Sequence, residues 1–177
     1  MIPKFSTHAY LKAKTINVSD KQLLAGPASV FMDNNFLTHS SIENVCVGDT
    51  FDLSLGTDAS IKVEYKPVKK LADTQGLISK VKHEIFRYET RLTNTKSTDV
   101  TIFVYQQVPL TSNEKIKVKL QQPELRGKDF ASNIVVTMND SNNLEWKCIL
   151  SARNECRLPL EYTVEWPADK QVEYTDS

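Results

Sequence analysis

This sequence has no surplus of charge of either sign, no long apolar run, few cysteines and histidines, and no stretch with helical apolar spacing. Its 22 basic and 22 acidic residues cancel to a formal net charge of zero. A general nucleic-acid binder carries a basic excess, and a polybasic membrane module needs one as well. Neither nucleic acid nor a membrane is therefore expected as a partner. No stretch approaches the about 18 consecutive apolar residues of a membrane-spanning helix. The opening residues, Met1-Ile2-Pro3-Lys4-Phe5, carry no apolar signal core. They lead almost at once into a strand-like run, as the start of an excised domain does.

The scarcity extends to catalytic chemistry. His8, His39 and His83 lie far apart, and there is no C-x-x-C, so no zinc-ligand spacing is present. There is no G-x-S-x-G, and a nucleophilic Ser or Cys needs a neighbouring base that the sequence does not single out. Asp49, Asp52 and Asp58 cluster, with Asp33 and Asp140 in turn-like stretches. Turn aspartates need no ion to explain them, and none has EF-hand spacing. Hence no catalytic, cofactor-binding or metal-ligating residue is assigned, no cofactor is expected, and the chain does not read as an enzyme.

The three cysteines are Cys46, Cys148 and Cys156. An odd, sparse set is not a secreted disulfide framework, which favours a cytoplasmic, reducing setting. Cys148 and Cys156 flank what reads as the last hairpin. If those two strands pair, inward positions must match inward positions. Cys148 then faces Leu158 or Leu160, offset from Cys156 along the ladder, and the two fit poorly the ~5.5 Å Cα spacing of a disulfide. Free thiols are expected, with Cys148 a small core residue. Two sequons, Asn17-Val18-Ser19 and Asn139-Asp140-Ser141, are common enough by chance to establish nothing about secretion.

What the sequence has in abundance is alternation. Large apolar residues occupy 158, 160, 162, 164 and 166, and period-two spacing buries one face of a sheet. Ile61, Val63 and Tyr65 alternate with Lys62, Glu64 and Lys66. Phe86, Tyr88, Thr90 and Leu92 share one face of a long strand. Ile116, Val118 and Leu120 alternate with Lys115, Lys117 and Lys119, a charged outer face that suits an edge strand. Val100 to Val108 is apolar on both faces, which points to a central strand covered twice. Asp33-Asn34-Asn35 reads as a tight hairpin turn because Asn tolerates positive φ. Gly56-Thr57-Asp58 reads as a turn closing the strand that starts at Thr50.

Ten or eleven short strands separated by turns point to an all-β, antiparallel β-sandwich, either one elongated sandwich or two packed ones. The least patterned stretch, 68–80, separates 1–67 from 81–177, although both could belong to a single domain. A basic cluster of Lys66, Lys69, Lys70, Lys80, Lys82 and Arg87 reads as solvated side chains around that stretch.

Several local patterns occur in a fixed order. They are Asn17-Val18-Ser19-Asp20, then Leu23-Leu24-Ala25-Gly26-Pro27-Ala28-Ser29-Val30-Phe31-Met32-Asp33, then Gly48-Asp49-Thr50-Phe51 and Leu55-Gly56-Thr57-Asp58. Leu92-Thr93-Asn94, Val108-Pro109, Glu114-Lys115-Ile116-Lys117-Val118, Leu144-Glu145-Trp146 and Tyr162-Thr163-Val164 follow. Together they resemble the C-terminal β-domain of mucoidy inhibitor A-like proteins, in a eukaryotic-type member. The resemblance implies a domain of unknown function in a longer parent, preceded by another β domain and a coiled coil. It supplies no catalytic residues.

The expectation is a non-catalytic module acting in protein–protein interaction, self-association or assembly, through an exposed strand edge such as that of 115–120. One rival is a carbohydrate- or ligand-binding module, which a row of exposed rings on a sheet face would favour. The alternation instead sends Trp146, Tyr162 and Trp166 inward. A hydrolase with a cleft near 69–80, gathering His83 or Cys46 with acids, is the other rival.

Overall fold

The computed structural model describes residues 1–32, 34–67, 71–73, 81–125 and 133–172. They form eleven strands: β1 His8–Ile16, β2 Gly26–Met32, β3 Asn35–Ile42, β4 Thr50–Pro67, β5 Leu71–Asp73, β6 Val81–Asn94, β7 Val100–Gln107, β8 Lys117–Gln122, β9 Ile134–Met138, β10 Asn143–Leu150 and β11 Glu155–Pro167. The fold is all-β, as the alternation predicts.

The chain divides into two compact units, one of Met1–Thr7 with Ser60–Ser177 and one of His8–Ala59. The divide falls inside β4, whereas the sequence places it at 68–80. Most of 68–80 lies outside the described residues; 71–73 form β5, which pairs with β6. The sequence also breaks the chain at Gly56-Thr57-Asp58, but β4 runs through as a single strand of 18 residues. Gly56 takes a φ of +88° there, a backbone state open to glycine without a Cβ penalty. A strand so long serves both units: its first part belongs to one, and from Ile61 it pairs with β6 in the other.

The larger unit is a sandwich. One sheet runs β4-β6-β11-β8, with β5 also on β6, and the other runs β7-β10-β9; every pairing with a recorded register is antiparallel. Alternation decides which side chains fill the space between the sheets. From β11 come Leu158, Leu160, Tyr162, Val164 and Trp166, and from β10 come Leu144, Trp146, Cys148 and Leu150, all buried. Phe86 and Leu92 of β6 and Ile102 and Val104 of β7 complete this core. Each such large apolar side chain contributes about 1.5–3 kcal/mol on burial.

Two expectations about pairing fail. β10 and β11 are not a hairpin: β10 pairs with β7 and β9, while β11 pairs with β6 and β8. The link between them crosses from one sheet to the other. Nor is β7 central; it ends its sheet, and its outward Phe103 and Tyr105 are 41% and 40% exposed. The N-terminal residue runs beside this strand, its ammonium donating to the Phe103 carbonyl at 2.8 Å and its carbonyl accepting from the Tyr105 N–H at 2.8 Å. β8 does end the other sheet, with its lysines outward and Lys119 ion-paired to Glu165 at 2.9 Å.

The smaller unit has little core. Among its described residues, Ala9, Val30 and Val45 are the buried apolar ones, joined by buried Asn17. The β2–β3 ribbon forms as the sequence predicts, with Asn34 at a φ of +62° in its turn. Gly48 at a φ of +82° closes a loop in which its N–H donates to the Asn17 carbonyl at 2.9 Å.

Candidate functional site

The sandwich unit carries a cleft of about 470 Å³. Its floor is an aromatic row built by strand register. Tyr162 of β11 sits opposite Phe86 of β6, and their rings stack at 5.0 Å. Tyr88, two residues along β6, reaches Tyr162 diagonally at 6.0 Å. Tyr65 of β4 reaches Tyr88 diagonally at 5.9 Å. Rings on neighbouring strands and the same face lie within this range because strand spacing and pleat put them there. Ile116 and Val118 continue the wall from the β8 side, and Ile2, Phe5, Tyr105 and Leu110 flank the opening.

The polar groups of the cleft are few: Lys4, Gln106, Gln107 and Thr111, besides the tyrosine hydroxyls. Among the described lining residues there is no carboxylate, histidine or cysteine. The arrangement offers flat apolar contact and scattered hydrogen bonds, as ligand pockets do. Neither His83 nor Cys46 lines it. Trp146, Tyr162 and Trp166 point inward as the alternation requires, at 0%, 6% and 7% exposure.

A second surface belongs to the smaller unit. Phe31 and Phe36 form a cross-strand pair in the β2–β3 ribbon, ring centroids 5.7 Å apart, edge to face. His39 lies 4.8 Å from the Phe36 ring and within 3.4 Å of the Ser29 hydroxyl. Val30 turns the other way and is buried, leaving Phe31 62% and Phe36 52% exposed. Among the described residues β2 and β3 form a two-stranded sheet of their own.

Asp52 accepts an ion pair from Lys12 at 2.7 Å, and that lysine holds its carboxyl below the usual carboxylate range, with Lys14 adding to the effect. Among the described residues no group of His, Cys, Asp and Glu could hold a metal ion. Asp33 lies outside the described residues. Of the basic cluster, Arg87 is ion-paired to Glu161 at 2.8 Å and Lys66 stands opposite Glu89 in register. Lys69, Lys70 and Lys80 lie outside the described residues. Lys82 is exposed.

Two asparagines that look like turn residues are buried clamps. The Asn94 amide donates to the carbonyls of Thr98, Leu150 and Ser151 at 2.9, 3.2 and 3.1 Å. It is fully buried and ties the end of β6 to the β10–β11 link. Asn17 does the same in the smaller unit, donating to the carbonyls of Lys21, Val45 and Cys46. The Asn17 sequon is thus occupied by structural hydrogen bonds, whereas Asn139 of the other sits in an exposed turn.

Comparison with known proteins places the chain by sequence. The profile of a domain of unknown function, DUF4139, matches residues 5–168. The chain belongs to that family. It is 30% identical over 178 residues to Protein F37C4.5 of Caenorhabditis elegans, which covers 99% of this chain and 32% of the worm protein. The chain thus spans about a third of the length of that relative. No solved structure matches.

Proposed function

We propose that this chain is a non-catalytic β-sandwich module that works by contact with other proteins, within a longer coiled-coil-containing parent of the mucoidy inhibitor A-like kind, in the cytoplasm. The observation that carries this reading is the β2–β3 ribbon, which exposes Phe31 and Phe36 on a sheet of only two strands among the described residues. Exposed aromatic residues on the edge strands of a small sheet suit strand-addition recognition, in which main-chain bonds give affinity and side-chain pockets give selectivity. The sparse core of that unit leaves much of its apolar surface in contact with solvent, and apolar patches of this kind mark interaction surfaces.

The test is residue-resolved crosslinking of the tagged parent protein in cells, repeated with the F31S/F36S variant. Crosslinks from 26–42 to a defined partner, lost in the variant while its thermal midpoint is unchanged, support the reading. Turnover of a substrate by the chain, abolished by a single point change, overturns it.

The aromatic row favours a second reading, a ligand-binding module. Tyr65, Tyr88 and Tyr162 lie nearly parallel, with interplanar angles of 5° and 21°, and could hold a planar ring or the apolar face of a sugar. Titration with oligosaccharides under NMR observation separates the two. Shifts confined to the cleft and lost in Y88A favour the ligand; no shifts at millimolar sugar leave the protein-contact reading alone.

A further inference from the structure

We infer that the outward face of the β7-β10-β9 sheet is a self-association surface that takes a second copy of this chain, face to face and antiparallel. The alternation that buries Leu144, Trp146, Cys148 and Leu150 turns Glu145, Lys147 and Ile149 of β10 away from the core. The register sets Phe103 and Tyr105 of β7 and Val135 of β9 on that same side. Phe103 is 41%, Tyr105 40%, Ile149 44% and Val135 55% exposed. Lys147 stands between Phe103 and Val135, and Ile149 follows it two residues along the same face. Single exposed apolar side chains are ordinary on a protein surface, whereas several that adjoin on one sheet face mark a contact surface.

The charges on this face select the partner. Glu145 and Lys147 are exposed at the centre of the patch, and among the described residues neither makes an ion pair. Opposite charges placed in this way complement their own image. A two-fold axis that crosses β10 at Trp146, between two facing sheets and perpendicular to the strands, reverses the strand direction. It lays Lys147 of each copy over Glu145 of the other. The register fixes the remaining contacts. Phe103 is opposite Lys147 and Tyr105 opposite Glu145, so the same axis sets Phe103 of each copy against Tyr105 of the other. Val135 is likewise opposite Lys147 and Thr137 opposite Glu145, so these two meet across the axis. An axis along the strands would instead put lysine on lysine and glutamate on glutamate. A closed dimer requires a patch that is complementary to itself, and this one is.

Packed sheets lie about 10 Å apart, a gap that extended lysine and glutamate side chains close between them. The aromatic and aliphatic contacts supply affinity, while the two ion pairs set the register and disfavour other orientations. The face is small. Three strands about 4.8 Å apart, the longest of eight residues rising about 3.4 Å each, give roughly 400 Å² in plan. A standard interface takes about 800 Å² from each partner. The association is therefore weak and concentration-dependent. It uses a different surface from the β2–β3 ribbon and stands whether or not that ribbon binds a partner.

Sedimentation velocity of the folded chain from about 10 µM to about 1 mM is the test, with charge reversals at the two exposed positions. The wild-type chain is expected to move from one copy toward two across this range. E145K and K147E each bring like charges together twice and weaken dimerisation about tenfold or more. E145K/K147E restores it, and an equimolar mixture of E145K with K147E pairs as a heterodimer. A wild-type chain that stays single at the highest concentration overturns the proposal. So does a dimer that both single reversals leave unchanged, or a mixture that associates no better than either variant alone. A dimer lost in F31S/F36S yet kept in K147E lies on the ribbon and refutes the assignment to this face. Amide shifts of the wild-type chain on dilution read the face without any variant: they are expected on β7, β9 and β10, and shifts confined to other strands overturn the proposal even if a reversal fails to fold.

Discussion

Replacing Gln106 by leucine tests how the sandwich is held across its core. Gln106 of β7 is buried, accepting at 2.8 Å from the Trp146 indole N–H and donating at 3.3 Å to the Thr90 hydroxyl. Thr90 belongs to the facing sheet, so this short chain of bonds joins the layers at two fully buried residues. Leucine is nearly isosteric but offers neither acceptor nor donor. Q106L leaves the indole N–H and the threonine oxygen buried without that partner, each costing about 1–3 kcal/mol, partly offset by the more apolar side chain. The net expectation is about 2–4 kcal/mol. Urea denaturation followed by tryptophan fluorescence is the assay, because both tryptophans, Trp146 and Trp166, lie in the sandwich unit. At a slope of about 2 kcal/mol per molar the midpoint falls by roughly 1–2 M. Q106L combined with W146F is expected to cost less than the sum of the two changes, since the second removes the donor that the first had orphaned. A Q106L protein within about 0.5 kcal/mol of wild type, or strictly additive costs, refutes the reasoning.

Three further outcomes follow from the same geometry. N94D puts a carboxylate against the three carbonyls that the Asn94 amide now serves. Its folded pKa rises above the unfolded value of about 3.9, so stability retained below pH 4 is lost as pH rises, and an acid-to-neutral series of midpoints reads the slope. D52N behaves in the opposite sense. The Asp52 carboxyl is depressed by Lys12, so its contribution is present above about pH 4 and disappears in acid, where the curves of wild type and D52N converge; the pair lies at the surface, so its effect is small even at neutral pH. G48A meets no atom within 4 Å but must keep a φ of +82°, and a cost of about 1–2 kcal/mol is expected in the smaller unit by hydrogen exchange. A neutral G48A disproves the positive-φ argument there.

Much of the layering was legible because it is local. Tyr162, Val164 and Trp166 bury as their spacing requires, and Lys115, Lys117 and Lys119 face out as theirs does. Asn34 takes the positive φ expected of its turn. The errors share a cause. Apolar residues on both faces of 100–108 were read as two covers, but Phe103 and Tyr105 are half in water at the end of a sheet. Gly56 was read as a stop, yet glycine also lets a long strand pass through a kinked backbone state. Phe31 sits between Val30 and Met32 in an unbroken apolar run, and nothing local says which face of that run turns outward.

Sequence alone determined the element type and the inward set of side chains, since period-two alternation is written residue by residue and needs no partner. Only the tertiary structure decided which strands pair, that β10 and β11 lie in opposite layers, and that Tyr65, Tyr88 and Tyr162 align across three strands. The physical reason is that backbone hydrogen bonds are the same for any pair of strands. Partner choice is therefore set by how the whole apolar face is best covered, and no single strand carries that information.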